Sequence, residues 1–354
     1  MVTIKRFANN PLLSPASLRP SRPDFEVTCV LNPGAFRYGG RVGLLLRVAE
    51  RPLPVAGEIS TPLYDHATGA INCLRLKLGA PGLEVPEGEP RVFTYDGRMY
   101  VTTMSHLLLA WSDDGGRTFA PDYDGRLFPA SPLESYGIED PRVVCVDGEY
   151  LITYTAVSES GVAVGLRRTR DWKTFSAPEV IFPPHNMDCA IFPRRIGGNY
   201  YAFHRPSGIG IGGNFVWLAQ SPDLRHWGDH RCVAACRPGL WDAERMGAGA
   251  EPLETPHGWL EVYHGADRGG RYCLGLLLLD RDAPWKVLAR SQAPVMEPAE
   301  PYERSGFYGN CIFTNGHVVD GDRLVVYYGA ADAVVCGAEF SLAELTAAAL
   351  ADRV

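Results

Sequence analysis

Short apolar stretches, each opened by a glycine turn, recur from one end of this 354-residue chain to the other. YGGRVGLLLRVAE starts at Tyr38, DGRMYVTTMSHLLLAWS at Asp96 and DGEYLITYTAVSESGVAVGLRRT at Asp147. GGNYYAFHRPS follows at Gly197, HGWLEVYHGAD at His257 and DGDRLVVYYGAAD at Asp320. Each turn leads into an alternating or wholly apolar run of strand length, too short for a helix. Gly97, Gly148, Gly198 and Gly258 are about 50–60 residues apart, the spacing of propeller blades with four strands each.

A second motif repeats on the far side of these units. SDDGGRTF (112–119), TRDWKTF (169–175) and SPDLRHW (221–227) share a Ser or Thr, an Asp two residues on and a closing aromatic. The first fits the Asp-box pattern S-x-D-x-G-x-T-F in full. Its physics is local: the carboxylate accepts backbone N–H bonds across the turn while the aromatic tucks beneath. Asp114, Asp171 and Asp223 are therefore read as turn-makers, not catalysts. Only SLAELTAAALADRV (341–354) and part of the N-terminus read as helical. The pattern predicts an all-β chain: one domain over 1–354, a five-bladed β-propeller with a short C-terminal helix, the N-terminal segment helping to close the ring.

Composition narrows the function. A net charge of −7 provides no basic stripe for nucleic acid. No apolar run approaches the ~18 residues of a membrane span, and MVTIKRFANNPLLSP lacks the apolar core of a signal peptide. Nine scattered cysteines suit free thiols in a reducing compartment. A cytoplasmic protein without nucleic-acid or membrane partners is expected. His185, His204 and His264 lack metal-ligand spacing, so no metal is expected. GIGIGG at 208–213 matches a dinucleotide fingerprint in letters only, since it precedes no helix, and no cofactor is expected.

Polar residues cluster where a propeller gathers its loops, just ahead of the innermost strands. Asn32-Pro33-Gly34-Ala35 precedes the first unit and GIEDPR (137–142) the next. HNMD (185–188), RMGAGAEPLE (245–254) and GFYGN (306–310) hold the same place in the others. Within GIEDPR, Pro141 fixes the backbone and Arg142 is expected to pair with one of the two carboxylates, Glu139 and Asp140.

These segments carry a resemblance. GIEDPR, HNMDCAIFP with HRP, GAGAEPLET with GWLEVYHG, and YYGAAD resemble glycoside hydrolase family 130 from about Asn32 to the C-terminal helix. The resemblance implies a five-bladed propeller that cleaves β-mannosides, mostly by phosphorolysis, with Asp140 as the single acid. It implies a phosphate site at Arg205, His264, Tyr272 and Arg245, and mannose contacts at Asn32, Arg47, Asp188 and Asp332. Glu139, beside the acid, and Tyr308 and Asn310, on another rim loop, join the sugar-binding candidates. Two departures stand out. The chain reads His185-Asn186-Met187-Asp188 where the family has Asn-Lys-Asp after a basic residue; His185 and Asn186 remain phosphate candidates. Glu251 stands where prolines are usual.

A carboxylate at Glu251 would repel phosphate and could instead serve as the base of an inverting hydrolase, whose carboxyls lie about 6.5–9.5 Å apart. With four phosphate candidates retained, phosphorolysis giving α-mannose 1-phosphate is favoured over an inverting β-mannosidase, with inorganic phosphate as co-substrate. A furanosidase would need a carboxylate in the first rim loop, and LNPGAFRYGG has none. A non-catalytic carbohydrate-binding propeller is the remaining rival. Linkage, acceptor sugar and oligomeric state, a homo-oligomer included, stay open.

Overall fold

The computed structural model describes residues 2–89, 91–208 and 212–353; residues 209–211 of the GIGIGG run lie outside them. Strand dominates. The principal helix is Leu342–Ala351, capped by the Ser341 side chain accepting from the Glu344 N–H. Pro301–Arg304 forms one short helical turn. The N-terminal segment contributes a strand and a three-residue 3-10 turn, Pro15–Ser17, in place of the helix expected there.

The strands fall into antiparallel sets of four. Phe25–Tyr38, Arg41–Pro52, Met104–Ser112 and Ala120–Leu127 form the first. Gly137–Val146, Glu149–Ser158, Gly161–Thr169 and Glu179–Phe182 form the second, joined to the first by one parallel pair, Gly137 with Ser105. Asn186–Ile191, Tyr200–Pro206, Val216–Ser221 and Gly228–Ala234 form the third. Arg245–Gly247, Gly258–Ala266, Tyr272–Leu279 and Val287–Arg290 make up the fourth, with Leu253–Thr255 alongside. In the fifth, Ile312–Asp320, Arg323–Ala330 and Val334–Ser341 are completed by Lys5–Arg6, so both ends of the chain meet in one sheet.

The core sits between consecutive sets. Leu45 and Leu109 pack with Val143 and Ile152 between the first and second, and Leu151 and Leu166 with Ile191 and Ala202 between the second and third. Phe192 and Phe203 meet Trp259 and Leu277 across the next junction. Leu276 and Leu278 meet Val326 and Tyr328, and Leu345 and Ala349 of the C-terminal helix cover this layer. Val325 and Tyr327 then return to Leu44 and Leu46 of the first set. Middle strands buried on both faces explain why GLLLL reads as apolar at every position instead of alternating. The first strands crowd together: a Cβ on Gly34 would lie 2.9 Å from the Pro141 carbonyl oxygen, and one on Gly316 would lie 2.4 Å from the Ala35 nitrogen.

One expectation is corrected. DGRMYVTTMSHLLLAWS is not one strand, because Arg98–Val101 and Met104–Ser112 belong to different sheets. The Gly97 turn joins Val92–Tyr95 to Arg98–Val101 in a small three-stranded sheet with Leu83–Glu84. With the hairpin Glu58–Asp65/Ala70–Lys77, this sheet is inserted between the second and third strands of the first set. Its own core is Phe93, Tyr100 and Tyr136, backed by Ile59, Leu63, Leu74 and Leu76. A hairpin turn is a local signal, identical wherever the hairpin ends up. The turn equivalent to Gly148 in the first set is Gly40.

The three Asp boxes join third to fourth strands in the first three sets. Asp114 accepts from Arg117 and Thr118 N–H at 3.0 Å each. Asp171 accepts from Lys173 and Thr174 N–H at 2.9 and 2.8 Å, and Asp223 from Arg225 and His226 N–H at the same distances.

Candidate active site

Three first strands break register at equivalent places, between Leu31 and Gly34, Glu139 and Arg142, and Met187 and Ala190. At each break sits a left-handed Asx residue: Asn32 (φ 45°), Asp140 (φ 51°) and Asp188 (φ 51°). Such bulges re-aim a side chain out of the ladder, and Asn and Asp are the residues with a side chain that best tolerate this conformation. The same geometry that requires an Asx residue thus delivers its polar group to the space between the sets.

The first two bulges meet at Arg47. Its Nη1 donates to Asp140 Oδ1 at 2.9 Å, its Nη2 lies 2.7 Å from Glu139 Oε1, and its Nε donates to Ser105 Oγ at 3.1 Å. Asn32 Nδ2 also donates to Asp140 Oδ1, at 2.9 Å. Both of these bonds to Asp140 fall on Oδ1. Burial pushes Glu139 above the usual carboxylate range, with the Asp140 charge adding to it and Arg47 opposing. Asp332 is pushed up to about 6, first by burial and then by Asp140, again against Arg47. Arg47, Glu139 and Asp332 line a cavity of about 320 Å³. Its outer wall holds Arg91, Val101 and Phe307.

The third bulge anchors a second cluster. Asp188 Oδ1 accepts from Arg142 Nη2 at 3.0 Å, while Oδ2 lies 2.9 Å from Arg205 Nη1 and 3.2 Å from His264 Nε2. Burial alone would raise the Asp188 pKa, but Arg205 and Arg142 outweigh it and hold the carboxyl far below its ordinary range. Burial lowers the His264 pKa in spite of Asp188; a neutral ring carrying its proton on Nε2 toward Asp188 fits that direction. Arg245 Nη1 donates to the Tyr272 hydroxyl at 3.1 Å. Burial pushes Tyr272 up to about 12, against the pull of Arg245 and Arg205. Among the described residues, Arg205 Nε and His264 Nδ1 are buried without a hydrogen-bond partner. The fourth set leaves room here, since a Cβ on Gly247 would fall 2.1 Å from Asp188 Oδ2.

Arg142 joins the clusters. It does not pair with the Glu139 or Asp140 carboxylate, as the sequence suggested. It donates to the Asp140 backbone carbonyl at 3.0 Å, to Asp188, and to the Ala248 and Gly249 carbonyls at 2.9 Å. The first cluster therefore gathers Asn32, Arg47, Glu139, Asp140 and Asp332, and the second Asp188, Arg205, Arg245, His264 and Tyr272. Tyr308 stands between them, its ring 5.9 Å from Tyr272 and 5.8 Å from the Arg91 guanidinium carbon. The Asn310 carbonyl accepts the Tyr272 N–H at 3.0 Å.

Three candidates are placed elsewhere. The Asn186 side chain turns to His204, 3.0 Å away, and His204 Nε2 faces His230 Nδ1 at 3.1 Å. His185 is exposed and lines a separate cavity beside Gly161. Glu251 borders a third cavity with Ala35, Phe36, Arg37 and Val143, its Oε1 3.6 Å from His317 Nε2. Glu139 and Asp332 line a different cavity, so the carboxylate that looked like a second catalytic group opens elsewhere than the first cluster. Arg91 and Phe307 line the cavity and Ser105 bonds Arg47 and Glu139; none was a candidate, although Phe307 stands in the GFYGN loop, and only the fold brings them near Glu139.

The chain belongs to glycoside hydrolase family 130: the family profile, described as beta-1,4-mannooligosaccharide phosphorylase, matches residues 81–349. It is similar to a beta-1,2-mannobiose phosphorylase of Listeria innocua, 39% identical over 349 residues, 97% of this chain and 98% of that one. A solved structure of the Listeria innocua beta-1,2-mannobiose phosphorylase in complex with beta-1,2-mannobiose superposes with a TM-score of 0.93 at 37% identity, covering 99% of each chain. A 1,2-beta-oligomannan phosphorylase of a Thermoanaerobacter species is 35% identical over 207 residues, 57% of this chain and 67% of the relative.

Proposed function

We propose that this chain cleaves β-mannosides by phosphorolysis, releasing α-mannose 1-phosphate and a shortened sugar. The four-stranded sets act as blades of a five-bladed propeller, and both residue clusters face its central well. Asp140 protonates the glycosidic oxygen as the bond to the anomeric carbon breaks. A phosphate oxygen attacks that carbon from the opposite side and inverts it, turning the β-mannoside into the α-phosphate.

The observation that carries this reading is the unspent hydrogen-bonding capacity of the second cluster. Among the described residues Arg205 keeps a buried N–H without a partner, and Arg245 and Tyr272 stand beside it. A phosphate dianion is recognised by such forks of charged donors. Asp188 neutralises part of that charge and fixes Arg205 and Arg142 in place, so it acts as a positioning residue for the basket. Asn32, Arg47, Glu139 and Asp332 are left to bind the mannose hydroxyls, where paired carboxylate and guanidinium groups select among epimers. The opening of Glu251 onto a cavity other than that of Glu139 and Asp332 weighs against the hydrolytic alternative. Nine unpaired cysteines support a reducing, cytoplasmic setting.

The reverse reaction tests the reading. Supplied with α-mannose 1-phosphate and mannose, the protein should release inorganic phosphate and build a β-mannobiose. Failure to release phosphate with any acceptor sugar, from folded protein, would reject it.

A further inference from the structure

The first strands of three sets repeat one arrangement. Leu31, Glu139 and Met187 each stand one residue before the left-handed Asx residue of their strand. Leu31 and Glu139 both line the catalytic cavity. The partners across the ladder repeat as well, since Leu31 lies opposite Arg47 and Met187 opposite Arg205. Met187 thus stands to the arginine of the second cluster as Leu31 stands to that of the first.

Here, however, the side chain carries a sulfur, and the sulfur is engaged. Arg205 Nη1 reaches Asp188, Nη2 donates to Met187 Sδ, and Nε is buried without a partner among the described residues. A thioether is a weak acceptor, so it steadies the guanidinium and leaves most of its charge to other partners. Oxidation reverses that: a sulfoxide is polar and carries an oxygen, which within reach of Nη2 occupies a donor of the proposed phosphate basket. Accessibility also singles out this methionine. Met104, Met246 and Met296 are at most 2% exposed, whereas Met187 is half-buried. Any route that brings phosphate to Arg205 admits hydrogen peroxide, which is smaller.

We propose that Met187 is a reversible oxidation site through which hydroperoxides weaken the binding of phosphate. It rests on the phosphorolysis reading above. The sulfur lone pair attacks one oxygen of hydrogen peroxide; the S–O bond forms as the O–O bond breaks. The departing hydroxide takes the proton of the transferred oxygen and leaves as water. Sulfur is oxidised by two electrons and the peroxide reduced by two. A methionine sulfoxide reductase reverses the step, its thiols becoming a disulfide while the oxygen leaves as water.

The test treats the protein with hydrogen peroxide until peptide mapping finds one added oxygen on Met187. Dithiothreitol then restores any oxidised thiols and leaves the sulfoxide. The KM for phosphate should rise about ten-fold, the worth of one hydrogen bond to a charged group, with kcat changing much less, and methionine sulfoxide reductase should bring it back. In Met187→Leu the KM should be the same before and after treatment, although Met99, 63% exposed, is oxidised in both proteins. The proposal is overturned if Met187 stays unmodified while Met99 is oxidised, if the KM ignores the modification, or if Met187→Leu shifts as the wild type does. Mapping and reductase rescue are read on the wild type, so they hold even if the variant folds poorly. Untreated protein that shows no phosphate-dependent turnover overturns phosphorolysis and this proposal together.

Discussion

Arg47 holds Asp140 from one side: its Nη1 reaches Oδ1 at 2.9 Å, while the neighbouring Nη2 is 2.7 Å from Glu139. One guanidinium thus bridges two adjacent carboxyls. If Asp140 donates the proton, Asp140→Asn lowers kcat by about 10²–10⁴-fold with little change in thermal midpoint. Arg47→Lys, which replaces a planar fork by a point charge, loses about ten-fold or more. Initial rates and a melting curve on each variant check both statements.

Asp188 lies between Arg142 and Arg205 and is almost wholly buried. Removing its charge strands two guanidinium groups in the interior, a change that costs about 3–5 kcal/mol. Asp188→Asn should therefore lose stability of that order in urea unfolding. It should also raise the KM for phosphate, because Arg205 is no longer held in place. Arg205→Leu should raise the same KM at least ten-fold and leave Asp188 with one arginine fewer.

Asp332, pushed up to about 6 by burial and by Asp140, changes charge within the working range of pH. In the proposed role of mannose contact it would accept hydroxyl bonds best when ionised. The account predicts that kcat/KM climbs through about pH 6 and that Asp332→Asn removes this limb while lowering the plateau. A pH profile of the two proteins decides it.

Glu251 and Glu261 are both pushed up to about 8, mainly by burial. Their ordinary value is 4.5, so between pH 4.5 and 8 the folded chain keeps protons that the unfolded chain has released. Stability therefore falls as pH rises through that window and levels off above it, by up to about 1.4 kcal/mol per carboxyl per pH unit. Glu261→Gln should melt a few degrees higher than the wild type at pH 8, and the two should converge near pH 4.5. Glu251→Gln should behave likewise. If it also abolished turnover, Glu251 would return as a catalytic base.

What the sequence revealed depended on range. The Asp boxes and the glycine turns at 148, 198 and 258 are governed by contacts within a few residues, and their positions came out correctly. Gly97 misled because its hairpin uses the same local chemistry inside an insertion. Glu251 misled for a related reason: the fold decides which residue of RMGAGAE stands beside Asp188, and there it is Gly247. Arg142 was placed on the wrong carboxylate because its partner lies 46 positions away in the chain. At Asn32, Asp140 and Asp188 the polar motif coincides with a left-handed bulge that favours an Asx residue.

The most direct measurement is the rate of β-1,2-mannobiose loss as inorganic phosphate is raised from zero. The account predicts no turnover without phosphate, saturation as phosphate rises, and one α-mannose 1-phosphate formed for each disaccharide consumed. Free mannose accumulating at the same rate with and without phosphate would contradict it.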